Sequence, residues 1–246
     1  MKQPKQPISF DYGVIGGGSW ATAIVKMLCE TQSQVGWYMR NTRAIEHIRQ
    51  EEHNPNYLSS VSFDPNQLWL SDDINEIVTQ AKVVILAVPS AFLCSELEHL
   101  TIPLSNKLVF SAIKGIVPES SLIVGAHLNE HYGLPMESIG VITGPCHAEE
   151  VALERLSYLT IACAHKPNAK LVAQALSSSY IKCSVSDDIM GTEYAAVLKN
   201  IYALAAGIAH GLGYGDNFQS VLMSNAIREM KRYVKSVHRM KRNING

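Results

Sequence analysis

The chain has no cysteines spaced as a C-x-x-C clip: Cys29, Cys94, Cys146, Cys163 and Cys183 are odd in number and widely separated. That pattern speaks against a zinc ribbon or a dithiol redox centre, and a reducing cytoplasm is its simple reading. Charge imbalance is also missing. With 21 Lys and Arg against 22 Asp and Glu, the formal net charge is −1, so no global field gathers nucleic acid or an anionic membrane. Apolar runs such as Val83 to Val88 (VVILAV) fall far short of a bilayer span, and the Ala/Gly-rich stretch after Lys199 is broken by His210. The opening MKQPKQPISFDYG carries two prolines and no apolar core before Ile8, which reads as a short tail and not as a secretory signal.

What is present suits a globular core: 47% of the 246 residues are hydrophobic and 17% charged, enough for one large domain or two modest ones. The stretch FDYGVIGGGSWATAIVKMLCET predicts strand, glycine turn and helix, because Ala23, Ile24, Met27 and Leu28 follow at helical spacing. SQVGWYMR predicts a second strand and NTRAIEHIRQEE the helix after it. In LWLSDDINEIVTQA, Asp72 or Asp73 is placed to cap a small helix. AKVVILAVP, NKLVFSAIKG and SIGVITGP are continuous aliphatic runs, the form of strands covered on both faces of a parallel sheet, and LSYLTIACAH adds a further candidate. Helix-like sequence lies between them.

The expected fold is therefore α/β, a Rossmann-like doubly wound, mostly parallel sheet over residues 1–187. Beyond SVSDDI the sequence turns helical and small-residue-rich. Residues 188–246 are expected to form an all-helical but incomplete second domain, near the size where independent stability becomes marginal.

Gly16-Gly17-Gly18-Ser19-Trp20-Ala21 fits G-x-G-x-x-G/A between the first strand and first helix, the context that gives this pattern force. Gly16 permits a tight turn, Gly18 leaves room for a pyrophosphate, and Ala21 allows close helix packing. The helix N-terminus offers free N–H groups to phosphates. An acid about twenty positions beyond the glycines would clamp the ribose hydroxyls of NAD. Here the second strand ends in WYMRN, so Arg40 is placed to meet a 2′-phosphate; NADP as well as NAD is expected to be accepted, and a preference for NADP is one reading open to it.

Lys114 and the Gly144-Pro145-Cys146 turn each follow a predicted strand, at the carboxyl edge where ligands bind in such sheets. Lys199 lies in VLKNIYALAAGIAHG, a helical stretch of mainly apolar neighbours. An ammonium there either snorkels or works, because its burial disfavours the charged form.

Taken together, GVIGGGSWATAI, AVPS, AIKGI, TGPCHAEEVA and VLKNIYALAAGIAHGLGYGDN resemble the bacterial NAD(P)-dependent glycerol-3-phosphate dehydrogenase family, in the family's order and approximate spacing. The resemblance implies hydride transfer between NAD(P)H and dihydroxyacetone phosphate, giving sn-glycerol 3-phosphate for phospholipid synthesis, without a metal. It implies that Lys199 is the proton donor and acceptor, partly desolvated with a lowered pKa. Asn200 would orient the substrate, Lys114 would touch substrate and cofactor, and Gly144 and Cys146 would line the substrate pocket. Ser19, Trp20, Arg40, Tyr57, Lys114 and Ala148 would contact the dinucleotide, along with Gly16 and Gly18 of the turn.

The chain departs from the family where Cys146 replaces the common Ser or Thr, leaving a weak thiol donor, and where Met39 replaces a frequent basic residue. The family continues for roughly eighty further residues, judged against ordinary domain sizes. This chain is thus expected to be a truncated dehydrogenase. The alternative is a dinucleotide-binding fragment without turnover, its substrate clamp missing. Oligomeric state is not legible, and a homodimer is one assembly open to it.

Two other patterns are weaker. His127-Leu-Asn-Glu-His131 matches H-x-x-E-H, but its context favours an exposed helix end over a metal site. The basic residues Arg228, Lys231, Arg232, Lys235, Arg239, Lys241 and Arg242 are interleaved with Met230, Val234 and Val237, which favours a solvated helix face over a nucleic-acid arm.

Overall fold

A computed structural model describes residues 10–238; the N-terminal tail and Arg239, Lys241 and Arg242 of the basic run lie outside them. In chain order the elements are β1 (Tyr12–Ile15), α1 (Ser19–Cys29), β2 (Val35–Tyr38), α2 (Thr42–Glu51), β3 (Leu68–Ser71), α3 (Ile74–Gln80), β4 (Val83–Leu86), α4 (Leu93–Leu97) and β5 (Leu108–Ser111). There follow β6 (Ile116–Val117), β7 (Leu122–Ile123), α5 (Val124–Tyr132), β8 (Ile139–Thr143), α6 (Ala148–Ala152), β9 (Ser157–Cys163), α7 (Lys166–Leu176), β10 (Ile181–Ser186), α8 (Ile189–Gly211) and α9 (Asp216–Val237).

Eight strands form one sheet in the order β10-β9-β8-β5-β4-β1-β2-β3, while β6 and β7 make a separate hairpin. The sheet is mostly parallel because helical crossovers return the chain to the same edge. The exception is the antiparallel pair β8–β9; β10 is parallel to β9, so both of these strands run against the other six. Alternate residues feed opposite cores. Val83 and Ile85 of β4 pack with α1 and α7, whereas Val84 and Leu86 pack with α3, α4 and α5. That two-sided burial is why β4 reads as an unbroken aliphatic run.

Chain order reverses at β1, which pairs with β2 on one side and β4 on the other. The crevice at the carboxyl ends of these strands is the switch point where such sheets bind ligands. Local caps fix the entries to it: Asn41 Oδ1 accepts from Ala44 N at the start of α2, and Asp73 Oδ1 accepts from Asn75 N at the start of α3. The residues before that cap, Leu68–Ser71, form edge strand β3, an element the sequence reading did not separate from the helix. β10 is likewise an additional strand.

The carboxyl-terminal helices begin where Asp188 Oδ1 accepts from Gly191 N. The first turn of α8 is buried against the sheet through Ile189, Gly191 and Glu193, and the rest pairs with α9. Their apolar residues Ile201, Leu204, Ile208, Leu212, Val221 and Ile227 are exposed. On α9, Val234 is buried but Val237 is exposed, so the core-like spacing expected of Met230, Val234 and Val237 does not extend to Val237. Arg228, Lys231, Arg232 and Lys235 are solvated. Among the described residues, no helix is long and apolar enough to cross a membrane.

Candidate nucleotide and substrate site

The glycine turn lies at the switch point, between β1 and α1. Gly16 has φ +134°, and a Cβ on it would stand 2.4 Å from the Ala87 carbonyl oxygen. Only glycine lets β1 turn this close to the end of β4. Gly18 differs, because a Cβ there would meet nothing within 4 Å among the described residues. Its surface is open, and α1 begins beside it with no side-chain cap. Uncapped N–H groups and open space fit the phosphates of a dinucleotide.

Two side chains brace the turn from below, and neither was expected from the sequence. Trp37 Nε1 donates to the Gly16 carbonyl at 2.7 Å. The buried Asn54 donates to Thr22 Oγ1 at 2.9 Å and to the Gly17 carbonyl at 3.3 Å. A lone Asn in a polar loop carries no sequence signal that it will fold under a turn far upstream.

A cleft of about 490 Å³ opens above the turn, lined among others by Gly16, Gly18, Arg40, Tyr57, Phe92 and Glu96. Tyr57 is exposed at its rim. Arg40 does not stand alone: its Nε is 2.9 Å from Oε1 of Glu96, which is buried. Glu96 went unremarked in the sequence, yet Leu93, Leu97 and Leu100 place it on an apolar helical face, where a carboxylate needs a partner.

On the other side of the turn, the loops after β4 and β5 meet tightly, since a Cβ on Gly115 would be 2.6 Å from Ser90 Oγ. Lys114 extends from this junction with its ammonium 5.6 Å from the centroid of the Trp20 ring, within cation–π range. Part of its surface reaches solvent, but surrounding protein strips some hydration. That desolvation, and then the positive charge of Lys199, holds the Lys114 pKa below the ordinary lysine value. Among the described residues, the buried indole nitrogen of Trp20 has no hydrogen-bond partner.

Cys146 is buried in the core beside Ala148. Burial raises its thiol pKa, opposed by a hydrogen bond with Ser157 and by the charge of Lys114. Gly144, at φ +153°, lets the chain pass the Tyr158 carbonyl, which a Cβ would approach to 2.2 Å. Lys114, Trp20, Cys146 and Lys199 are thus gathered at one end of the sheet. Lys199 and Asn200 are exposed on α8, contrary to the expected partial desolvation. The physical reason is that, among the described residues, α9 is the main neighbour of α8 beyond its first turns, and the apolar residues Ile201, Leu204 and Ile208 stay exposed.

The H-x-x-E-H segment also differs from expectation. His127 is buried, with Nδ1 3.0 Å from Ser120 Oγ and Nε2 3.7 Å from Cys94 Sγ, and only His131 is exposed. Among the described residues, no group of three or more His, Cys, Asp or Glu could hold a metal.

A doubly wound, mostly parallel sheet, an uncapped helix behind a glycine turn and Lys114 just beyond the end of β5 define a protein of the Rossmann-like α/β class. Comparison narrows the class: the N-terminal profile of NAD-dependent glycerol-3-phosphate dehydrogenase matches residues 11–169 and the C-terminal profile matches residues 188–246. The chain belongs to that family. It is 33% identical over 221 residues to a glycerol-3-phosphate dehydrogenase (NAD(P)+) of Macrococcus caseolyticus, covering 89% of this chain and 66% of that one. It is 35% identical over 221 residues to the enzyme of that name from an Exiguobacterium species, covering 89% and 64%. In fold it is similar to the solved glycerol-3-phosphate dehydrogenase of Plasmodium falciparum, with TM-score 0.85, 22% identity, and 96% of this chain and 68% of that one covered. The chain spans about two thirds of the length of the curated relatives it matches.

Proposed function

We propose that this protein interconverts dihydroxyacetone phosphate and sn-glycerol 3-phosphate with NAD(P)(H), supplying the backbone of glycerophospholipids in the cytoplasm. The observation that carries the reading is the meeting of Lys114 with Trp20 beside the glycine turn, within electrostatic reach of Lys199. Bound NAD(P)H would supply the hydride. Lys199 would hand a proton to the carbonyl oxygen and take it back in reverse. Lys114 would hold substrate against cofactor, Asn200 would orient the substrate, and Gly144 and Cys146 would shape its pocket. Gly16, Gly18, Ser19, Trp20, Arg40, Tyr57 and Ala148 would hold the dinucleotide, with residues 1–187 as its domain and 188–246 as the substrate domain. The five free cysteines support the cytoplasmic setting.

Mixing the chain with dihydroxyacetone phosphate and following NADH and NADPH oxidation separately tests this. Lys199→Ala is expected to lower turnover by at least about 10²-fold; equal rates in parent and variant would remove Lys199 from the chemistry. The exposure of Lys199 favours a second reading, in which the chain binds nucleotide but turns over little.

A further inference from the structure

The strand end that holds the adenosine ribose in this fold carries an arginine in place of the usual acid, but a carboxylate reaches the same place from another element. Glu96, on α4, stands with Oε1 2.9 Å from Arg40 Nε, and its Oε2 accepts from Tyr38 Oη at 2.9 Å. The acid is fixed and the arginine is the outer partner: their side chains are 3% and 62% exposed. Both line the cleft over the glycine turn.

We propose that Glu96 sets this protein's choice of dinucleotide, biasing the cleft toward NAD(H) and against the 2′-phosphate of NADP(H). The proposal rests on the dinucleotide reading above. Arg40 uses its Nε on Glu96, so a phosphate that met its remaining N–H groups would stand beside a carboxylate that already neutralises the guanidinium. The surroundings do not offset that repulsion. Asp72, Asp73 and His99 line the adjoining hollow with Arg40 and Tyr38, so fixed negative charge exceeds positive when His99 is neutral. A phosphate dianion is repelled there, whereas sugar hydroxyls are neutral donors. A carboxylate has about four acceptor sites, and the two protein bonds leave Glu96 capacity for such a hydroxyl. Arg40 alone, in the sequence, pointed toward accepting NADP; paired with Glu96 it points the other way.

Titration of the full chain with NADH and with NADPH, read by nicotinamide fluorescence at one fixed salt concentration, tests this without turnover. The parent is expected to bind NADH about tenfold or more tighter than NADPH. Glu96→Gln keeps the shape and removes the charge; it should tighten NADPH by about tenfold while changing NADH less than about threefold. Because that substitution touches a buried pair, Asp72→Asn, at an exposed position, gives an independent reading and should shift the ratio toward NADPH by about twofold to threefold. A parent that binds NADPH as tightly as NADH, or a ratio unmoved in the folded variants, overturns the proposal. If the parent binds neither nucleotide, the dinucleotide reading fails and this proposal falls with it.

Discussion

Gly16 and Gly18 stand two positions apart and should fail in different ways. A methyl on Gly16 would be driven into the Ala87 carbonyl at 2.4 Å from a backbone at φ +134°, so Gly16→Ala should cost about 2–4 kcal/mol of stability. On Gly18 the methyl meets no atom of the described residues within 4 Å. Gly18→Ala should therefore keep stability within about 0.5 kcal/mol, but weaken NADH about tenfold or more by occupying the space of a phosphate. Thermal unfolding and fluorescence titration of the two variants check this, and parent-like binding by Gly18→Ala would place the phosphates elsewhere. Both residues were legible because their spacing lies between a strand and a helix. Glu96 and Asn54 were not, since each acts across elements that only the folded chain brings together.

At the scale of elements, the junction between α8 and the sheet turns on one carboxyl group. Glu193 is buried, and its two oxygens lie 3.0 and 3.3 Å from Gly125 N, at the first turn of α5. α5 has no side-chain cap of its own, so a residue of α8 serves it. Desolvation raises the Glu193 pKa to about 8, against an opposing pull from the Gly125 and Val124 backbone bonds. The folded state therefore keeps this proton after the unfolded chain has lost it. Below the ordinary glutamate value both states are protonated and stability is full. From there up to about 8, stability falls with pH by at most about 1.4 kcal/mol per unit from this group. Denaturant midpoints measured from pH 5 to 9 should decline in the parent and much less in Glu193→Gln; matching slopes would show that the carboxyl is not what titrates. The sequence could not place this latch, because nothing in it tells which helix end α8 meets. It did give β1, β4, β5 and β8, whose two buried faces demand aliphatic runs. The edge strands β3 and β10 were not legible: β3 (LWLS) runs into the acidic cap of α3 with two residues between them, and β10 alternates polar residues along a partly exposed rim. The reversed direction of β9 leaves no mark in composition, since a strand buried among neighbours looks alike whichever way it runs.

Over the whole molecule, burial is uneven, dense around the sheet and sparse along α8 and α9. Leu204 on α8, the helix that carries Lys199, and Leu212 at the carboxyl-terminal cap of that helix are 68% and 71% exposed. Exposed apolar side chains such as these, with Ile201 and Ile208 also exposed on α8, favour association in water, and a second copy of the chain is the partner always present in a pure sample. Sedimentation equilibrium should accordingly show an average mass that rises with concentration, and replacing Leu204 and Leu212 together by Glu should hold the chain monomeric. Because the glycine turn and its cleft lie on other segments, that double variant should bind NADH as the parent does. Turnover should respond differently. Covering α8 would remove water from around Lys199 and strengthen its electrostatic hold on a bound substrate, so turnover per chain should climb with concentration in the parent and stay flat and low in the double variant. A parent that associates with no change in turnover per chain would separate the apolar face from the chemistry of Lys199.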